Sequence, residues 1–251
     1  MAGQLSSPAT ETVFRDAPYD ESCAATVLAV NEMGGIVLDR TVFYPTGGGQ
    51  PGDSGVLRTE DGREISIATT VKGRAEDGGA DVIVHVPAEG QTPPAPGNKV
   101  TAEIDWNRRH RMMRVHTCLH LLSAVLPYPV TGGQVNDGKG RLDFSIPEGG
   151  LDKEAITAEL NRLIATDSPV GDDWISDDDL AANPDLVKTM SVKPPTGAGR
   201  VRLIRIEGLD LQPCGGTHVA RTGEIGAVTV TKIESKGRQN RRVAIALNDN
   251  N

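Results

Sequence analysis

The chain has 251 residues, room for one large domain or two small ones, and 37% of them are hydrophobic, enough for a core. Aromatic residues make up only 3%, so that core must rest on Val, Ile, Leu and Ala, and the 29 glycines point to turns and short strands rather than a helical bundle. A formal net charge of -8 speaks against general nucleic-acid binding, three scattered cysteines make no disulfide framework and fit a reducing cytosol, and no apolar run is long enough to span a membrane.

The first twelve residues lack the basic and apolar segments of a secretory signal and read as a tail. An apolar run at Ala24–Val30 and an alternating stretch at Gly35–Val42 predict strands. A dense turn-forming segment follows, Tyr44-Pro45-Thr46-Gly47-Gly48-Gly49-Gln50-Pro51-Gly52-Asp53. Further strands are predicted at Ser54–Arg58, Glu64–Lys72, Asp81–Val86 and Lys99–Ile104, with Pro93, Pro94 and Pro96 breaking regular structure before the last. Short strands punctuated by glycine predict a small β-barrel over residues 1–104.

Asp105 then caps the strongest helix, whose periodic pattern runs to Leu126 before Pro127 stops it, with Met112, Leu119, Leu122 and Leu126 as a buried stripe. The glycine-broken stretch after it ends in an alternating strand at Arg141–Ile146. A second helix is predicted at Asp152–Thr166, a strand at Val170–Ile175, an acidic helical segment at Ser176–Met190 interrupted near Pro184, and strands at Arg200–Glu207, Ala227–Ser235 and Arg242–Leu247. Residues 105–251 thus read as a second domain with helices packed on an antiparallel sheet, and the whole chain as α+β.

His116 and His120 lie four residues apart within the predicted helix, and Cys214 and His218 lie four apart far downstream. Residues i and i+4 of a helix share a face, so the two imidazoles can grip one ion. A thiolate and a third imidazole complete a set of ligands that suits zinc, and Gly215-Gly216 permit the tight path that brings Cys214 and His218 together. Cys118 is two residues from each helical histidine, about 200° off their face, and reads as core. Whether His218 closes the coordination sphere or stands beside an open position is left undecided by spacing. Acid concentrates in Asp172–Asp185, and base in Arg108–Arg114 and Lys232–Arg242, both basic clusters adjoining the metal residues in sequence. Two such clusters flanking one site favour an anionic partner over plain solvated surface.

His116-Thr117-Cys118-Leu119-His120-Leu121-Leu122, taken with Cys214-Gly215-Gly216-Thr217-His218, resembles the editing domain of alanyl-tRNA and threonyl-tRNA synthetases. The resemblance extends through Val135-Asn136-Asp137, Leu142-Asp143-Phe144 and the segment Ser235–Arg242, and the Tyr44–Asp53 segment is similar to the glycine-rich motif of the small barrel that precedes that domain. No length remains for an aminoacylation domain, so the chain is most similar to the free-standing alanyl-tRNA editing proteins. That resemblance implies hydrolysis of the ester of mischarged tRNA(Ala), chiefly seryl and secondarily glycyl, with Zn2+ held by His116, His120, Cys214 and His218.

Gln134 and Asp210 are candidates for positioning water. Thr46, Gly47, Gly48, Gly49, Thr131, Gln134 and Thr217 are candidates for contacting the substrate, and Arg108, Arg109, Arg111, Lys236, Arg238 and Arg241 for contacting tRNA phosphates. The implied setting is the cytoplasm, with no membrane and no obligatory protein partner legible. Two other readings stand beside a deacylase: a non-catalytic tRNA-binding module with structural zinc, and a metallohydrolase of small acyl esters.

Overall fold

A computed structural model describes residues 9–74, 81–146, 150–190 and 199–249; the first eight residues of the expected N-terminal tail lie outside it. The chain divides into two compact units, one of residues 1–47 and 51–109, the other of residues 48–50 and 110–251. Residues 48–50, expected within the first domain, group with the second unit. Strands and helices are mixed, with strands predominating. Among the described residues no helix is long and apolar enough to cross a membrane.

The first unit holds β1 (Glu11–Thr12), a one-turn α1 (Val13–Asp16), β2 (Ser22–Val30), β3 (Ile36–Leu38), β4 (Arg40–Thr41), β5 (Gly55–Thr59), β6 (Glu64–Arg74), β7 (Asp81–Pro87) and β8 (Lys99–Ile104). β1 lies parallel to β4. The other six pair antiparallel in the order β2-β3-β7-β6-β5-β8, and β8 pairs back onto β2 from Ser22↔Glu103 to Thr26↔Lys99, so the ladder closes on itself. Closure removes exposed strand edges. Alternation fills the interior: Ile65 and Ile67 of β6 and Val100, Ala102 and Ile104 of β8 join Leu57, Phe43 and Val27 in one cluster. Each such aliphatic side chain contributes roughly 1.5–3 kcal/mol on burial.

An ion pair and a histidine are among the buried polar groups of this unit. Asp53 and Arg109 are 1% and 0% exposed and form an ion pair: Arg109 Nε donates to Asp53 Oδ2 at 2.8 Å, and its Nη2 donates to the Val42 carbonyl at 2.6 Å. The Tyr44 amide also donates to Asp53 Oδ2 at 2.6 Å. His85 of β7 is fully buried, its Nδ1 3.0 Å from the Ile36 carbonyl and its Nε2 2.7 Å from the Thr41 hydroxyl. The carbonyl can only accept, so Nδ1 carries the proton and Nε2 accepts from Thr41, which describes a neutral ring.

Helix α2 (Trp106–Val125) runs from the first unit, through Arg109, into the second. Asp105 caps it, its Oδ1 accepting from the Arg108 amide at 3.1 Å. The expected stripe is buried, but so are Met113, Val115, Thr117, Cys118, Leu121 and Ser123, so the helix is enclosed on nearly every side rather than along one face.

After α2 come β9 (Val130–Asn136), β10 (Lys139–Ser145), α3 (Lys153–Ile164), β11 (Val170–Ser176), α4 (Asp177–Ala182), β12 (Arg200–Ile206), β13 (Asp210–Pro213), β14 (Val228–Ser235) and β15 (Asn240–Leu247). They form a four-stranded antiparallel sheet, β14-β15-β10-β9, and a three-stranded one, β11-β12-β13. Asp152 caps α3 by accepting from the Ala155 amide, and the helix buries Ile156, Leu160, Leu163 and Ile164. β9 is absent from the sequence expectation because Gly132 and Gly133 weaken its strand pattern; pairing to β10 through the tight Asp137-Gly138 turn, with Gly138 at φ +70°, supplies what propensity lacks. Four-residue β13 is too short for periodicity to reveal.

Burial holds the His85 imidazole down to about 4 against its ordinary 6.5. Unfolded, His85 takes up a proton below pH 6.5 that the folded unit refuses until about pH 4, so stability falls as pH drops through that window. The expected loss is up to about 3 kcal/mol. Urea unfolding measured from pH 7 to pH 4 should register it, and His85→Gln should flatten the slope by about one proton.

Candidate metal centre

Helix α2 presents His116 and His120 on one face, their ring centroids 5.5 Å apart. β13 ends at Pro213, and the loop after it carries Cys214 and His218. This loop is pinned by Arg202 of β12, whose Nη1 donates to the carbonyls of Gly216 at 3.0 Å and Cys214 at 3.3 Å. The His218 ring centroid lies 4.3 Å from that of His116 and 4.7 Å from that of His120. One donor atom from each of the four residues falls within 4.8 Å of the others.

Every imidazole in the group has its Nδ1 on a partner. His116 Nδ1 lies 2.9 Å from Gln50 Oε1, His120 Nδ1 2.9 Å from Asp210 Oδ2, and His218 Nδ1 3.1 Å from Thr117 Oγ1. The Nε2 atoms are left to face the cluster: those of His116 and His218 lie 3.5 and 3.3 Å from Cys214 Sγ. Three imidazoles grouped with one sulfur match the donor set of a zinc site, and outward Nδ1 hydrogen bonds are what such sites use to hold their ligands. The residues present therefore fit a divalent transition metal.

The electrostatics agree. Burial alone would raise the Cys214 thiol, but the imidazoles of His116 and His218 beside it bring it well below its ordinary value, favouring the thiolate that a cation requires. Burial pushes His218 down to about 3, keeping it neutral and able to ligate. For His120 burial works against protonation and is outweighed by the Asp210 carboxylate and Cys214, which carry it up to about 9; a bound cation would compete with that proton. Cys118 is fully buried and its thiol is pushed up to about 12, the behaviour of an inert core residue.

The remaining sequence candidates divide. Asp210 does not face the cluster's interior: its Oδ2 takes His120 Nδ1 and Gln212 Nε2, and its Oδ1 takes Lys188 Nζ at 2.5 Å, so it orients a ligand rather than a water. Gln134 is exposed on β9, its Oε1 accepting from Arg141 Nε at 3.2 Å. The Thr46 hydroxyl donates to the Thr70 carbonyl and accepts from the Gly52 amide, and that of Thr131 donates to the Asp143 carbonyl, so both are committed to the fold. Thr217 is buried beside His218 and accepts from Gln50 Nε2 at 2.8 Å, leaving its own hydroxyl proton for another acceptor. Gly49, at φ +83°, passes so close to β9 that a Cβ would lie 2.8 Å from the Gly133 carbonyl oxygen; Gly47 and Gly48 show no such backbone crowding.

Arg109 is a correction among the tRNA candidates, because it is sealed against Asp53 and cannot reach a phosphate. Arg108 is half-buried and donates to the Gly52 carbonyl, and Arg111 is paired with Asp137 and Asp249. Lys236 and Arg238 are exposed in the β14–β15 turn, with Arg241 half-buried beside them. Sequence reasoning missed Gln50, Thr117, Gln212 and Arg202. Two of these carried a signal, Gln50 by its place at the end of the glycine run and Thr117 by lying inside the histidine motif.

Gly216 is a tight point in the site: a Cβ there would lie 2.3 Å from His116 Cε1 and 2.8 Å from Gln50 Oε1, whereas Gly215 has nothing within 4 Å. Gly216→Ala is expected to weaken binding of a divalent metal about tenfold or more by displacing the ring. Gly215→Ala should leave it unchanged in the same competition titration against a chromogenic chelator.

Residues 9–108 match the family of class II (A) tRNA synthetases, and residues 201–244 match the threonyl and alanyl tRNA synthetase second additional domain. The alanyl-tRNA editing protein AlaX-M of Methanosarcina acetivorans is 34% identical over 246 residues, spanning 96% of this chain and 100% of that protein. AlaX-M of Methanosarcina barkeri is 36% identical over 250 residues, with 96% and 100% covered. The alanine–tRNA ligase of Pyrobaculum arsenaticum is 34% identical over 248 residues, which take in 93% of this chain but 26% of that enzyme. Identity at this level along nearly the whole of both chains means that the chain belongs to the alanyl-tRNA editing proteins.

Proposed function

We propose that this protein is a zinc-dependent deacylase that removes wrong amino acids, chiefly serine and secondarily glycine, from tRNA(Ala) in trans. The observation that carries this reading is the convergence of His116, His120, Cys214 and His218 within 4.8 Å in a chain of this family. Bound there, zinc would polarise the ester carbonyl or acidify a water. The chain's own residues hold that ion and set its surroundings. Asp210, Gln50 and Thr117 orient the three rings, and Arg202 fixes the loop that carries Cys214.

Selectivity requires distinguishing serine from alanine by one hydroxyl. Thr217, the residue before His218 in sequence, suits that task, because its hydroxyl accepts from Gln50 Nε2 and keeps its own proton to offer to a seryl hydroxyl. With alanine in the site that donor would be unpaired, and a polar site missing its partner discriminates by orders of magnitude. Lys236 and Arg238, with Arg241, supply exposed charge for the tRNA backbone, and such contacts are sequence-blind and salt-sensitive.

Purified protein is expected to hydrolyse seryl-tRNA(Ala) with many turnovers and to leave alanyl-tRNA(Ala) intact. Chelation should abolish turnover and zinc restore it. His116→Ala should be inactive with an unchanged circular dichroism spectrum; a folded His116→Ala variant that retains full turnover would contradict the reading. tRNA affinity should fall steeply with added salt, and Lys236→Ala with Arg238→Ala should reduce the salt slope by about 1–2. Tight tRNA binding with no turnover would instead favour a binding module.

A further inference from the structure

We infer that Gln50 is a positioning residue for the metal site, holding His116 in the single tautomer that can ligate. The inference rests on the zinc reading of the four-residue cluster. Gln50 is 1% exposed and lies in the short 48–50 segment that groups with the second unit. Its carboxamide is held at three points. Oε1 lies 2.9 Å from His116 Nδ1 and 3.2 Å from the Thr217 amide nitrogen, and Nε2 lies 2.8 Å from Thr217 Oγ1.

The Thr217 amide fixes which way round the carboxamide sits. A backbone N–H can only donate, so the Gln50 atom facing it must be the oxygen. That same oxygen faces His116 Nδ1, so Nδ1 must carry the hydrogen and Nε2 must present its lone pair towards Cys214. Rotating the amide by 180° would oppose donor to donor at the Thr217 amide. The orientation is thus enforced by the loop that carries two of the other ligands, Cys214 and His218. Gly216 allows this meeting, since a Cβ there would strike both His116 and Gln50 Oε1.

The three histidines consequently have three different acceptors behind them: a carboxylate for His120, a carboxamide for His116 and a hydroxyl for His218. The Thr117 hydroxyl gives its own hydrogen to the Met113 carbonyl at 3.0 Å, so it too can only accept from the ring. Partners behind a ligand raise its basicity and fix its ring. Gln50 alone among the three lies outside the α2 helix and the β13 strand, at the end of the glycine run. This assigns the run a role in metal binding that needs no substrate.

The test measures metal, not turnover. Zinc affinity of the full chain is read by chelator competition, the cobalt complex by its visible absorption, and the His116 tautomer by 15N shifts of the metal-free protein at fixed pH. Gln50→Ala is expected to lower zinc affinity about 10–100-fold and to give His116 a mixture of tautomers. Gln50→Glu should restore both, because a carboxylate accepts from Nδ1 and from the Thr217 amide while the Thr217 hydroxyl turns to donate. Wild-type affinity in Gln50→Ala would overturn the inference and leave the metal site standing. Equal losses in the Ala and Glu variants, with a lowered melting temperature of the metal-free protein, would reduce Gln50 to a packing role and overturn it as well. Absence of tight zinc binding by the wild-type chain would overturn the zinc reading itself.

Discussion

Three imidazoles can share one ion only if each turns an unprotonated ring nitrogen inward, and the second unit occupies the other nitrogen of every ring. Asp210, Gln50 and Thr117 each take an Nδ1, and the Nε2 atoms are left to converge on Cys214. The surrounding architecture serves this arrangement. α2 is buried on nearly all sides, which fixes the helical pair. The β12–β13 pair delivers the Cys214 loop, with Arg202 bonded to two of its carbonyls. Ser123, Gln212 and Lys188 in turn hold Asp210 and the His120 side. A buried polar network of this density is stable only when nearly every member has a partner, and here the members supply one another.

Much of this was legible from residue order. The four cluster residues could be named because a helix turns about 100° per residue and because two glycines between Cys214 and His218 permit a tight loop. The same geometry removed Cys118, which the structure buries as a neutral thiol. The α2 and α3 helices were bounded by their Asp caps, and the long alternating strands by their period. What could not be read were features that depend on distant partners. β9 exists because β10 pairs with it, and β13 because β12 does. Gln50 acts on His116 across 66 positions of sequence, and no local pattern encodes that.

Charge was the poorer guide. The basic run Arg108–Arg114 suggested a surface for an anion, yet Arg109 lies buried against Asp53, and Arg111 and Arg114 are drawn to Asp249. Composition counts charges without their neighbours. The β14–β15 turn differs because Lys236 and Arg238 are exposed, although Glu234 lies 3.6 Å from Lys236 Nζ.

Residues 48–50 have a further consequence. A chain clipped cleanly after residue 109 would yield a second piece with all four ligands and none of the backing for His116. The two units therefore cannot be parted by a single cut without changing the chemistry of the second. The second unit as it folds is therefore not one continuous stretch of sequence, and residues 48–50 belong to it although they are written among the strands of the first.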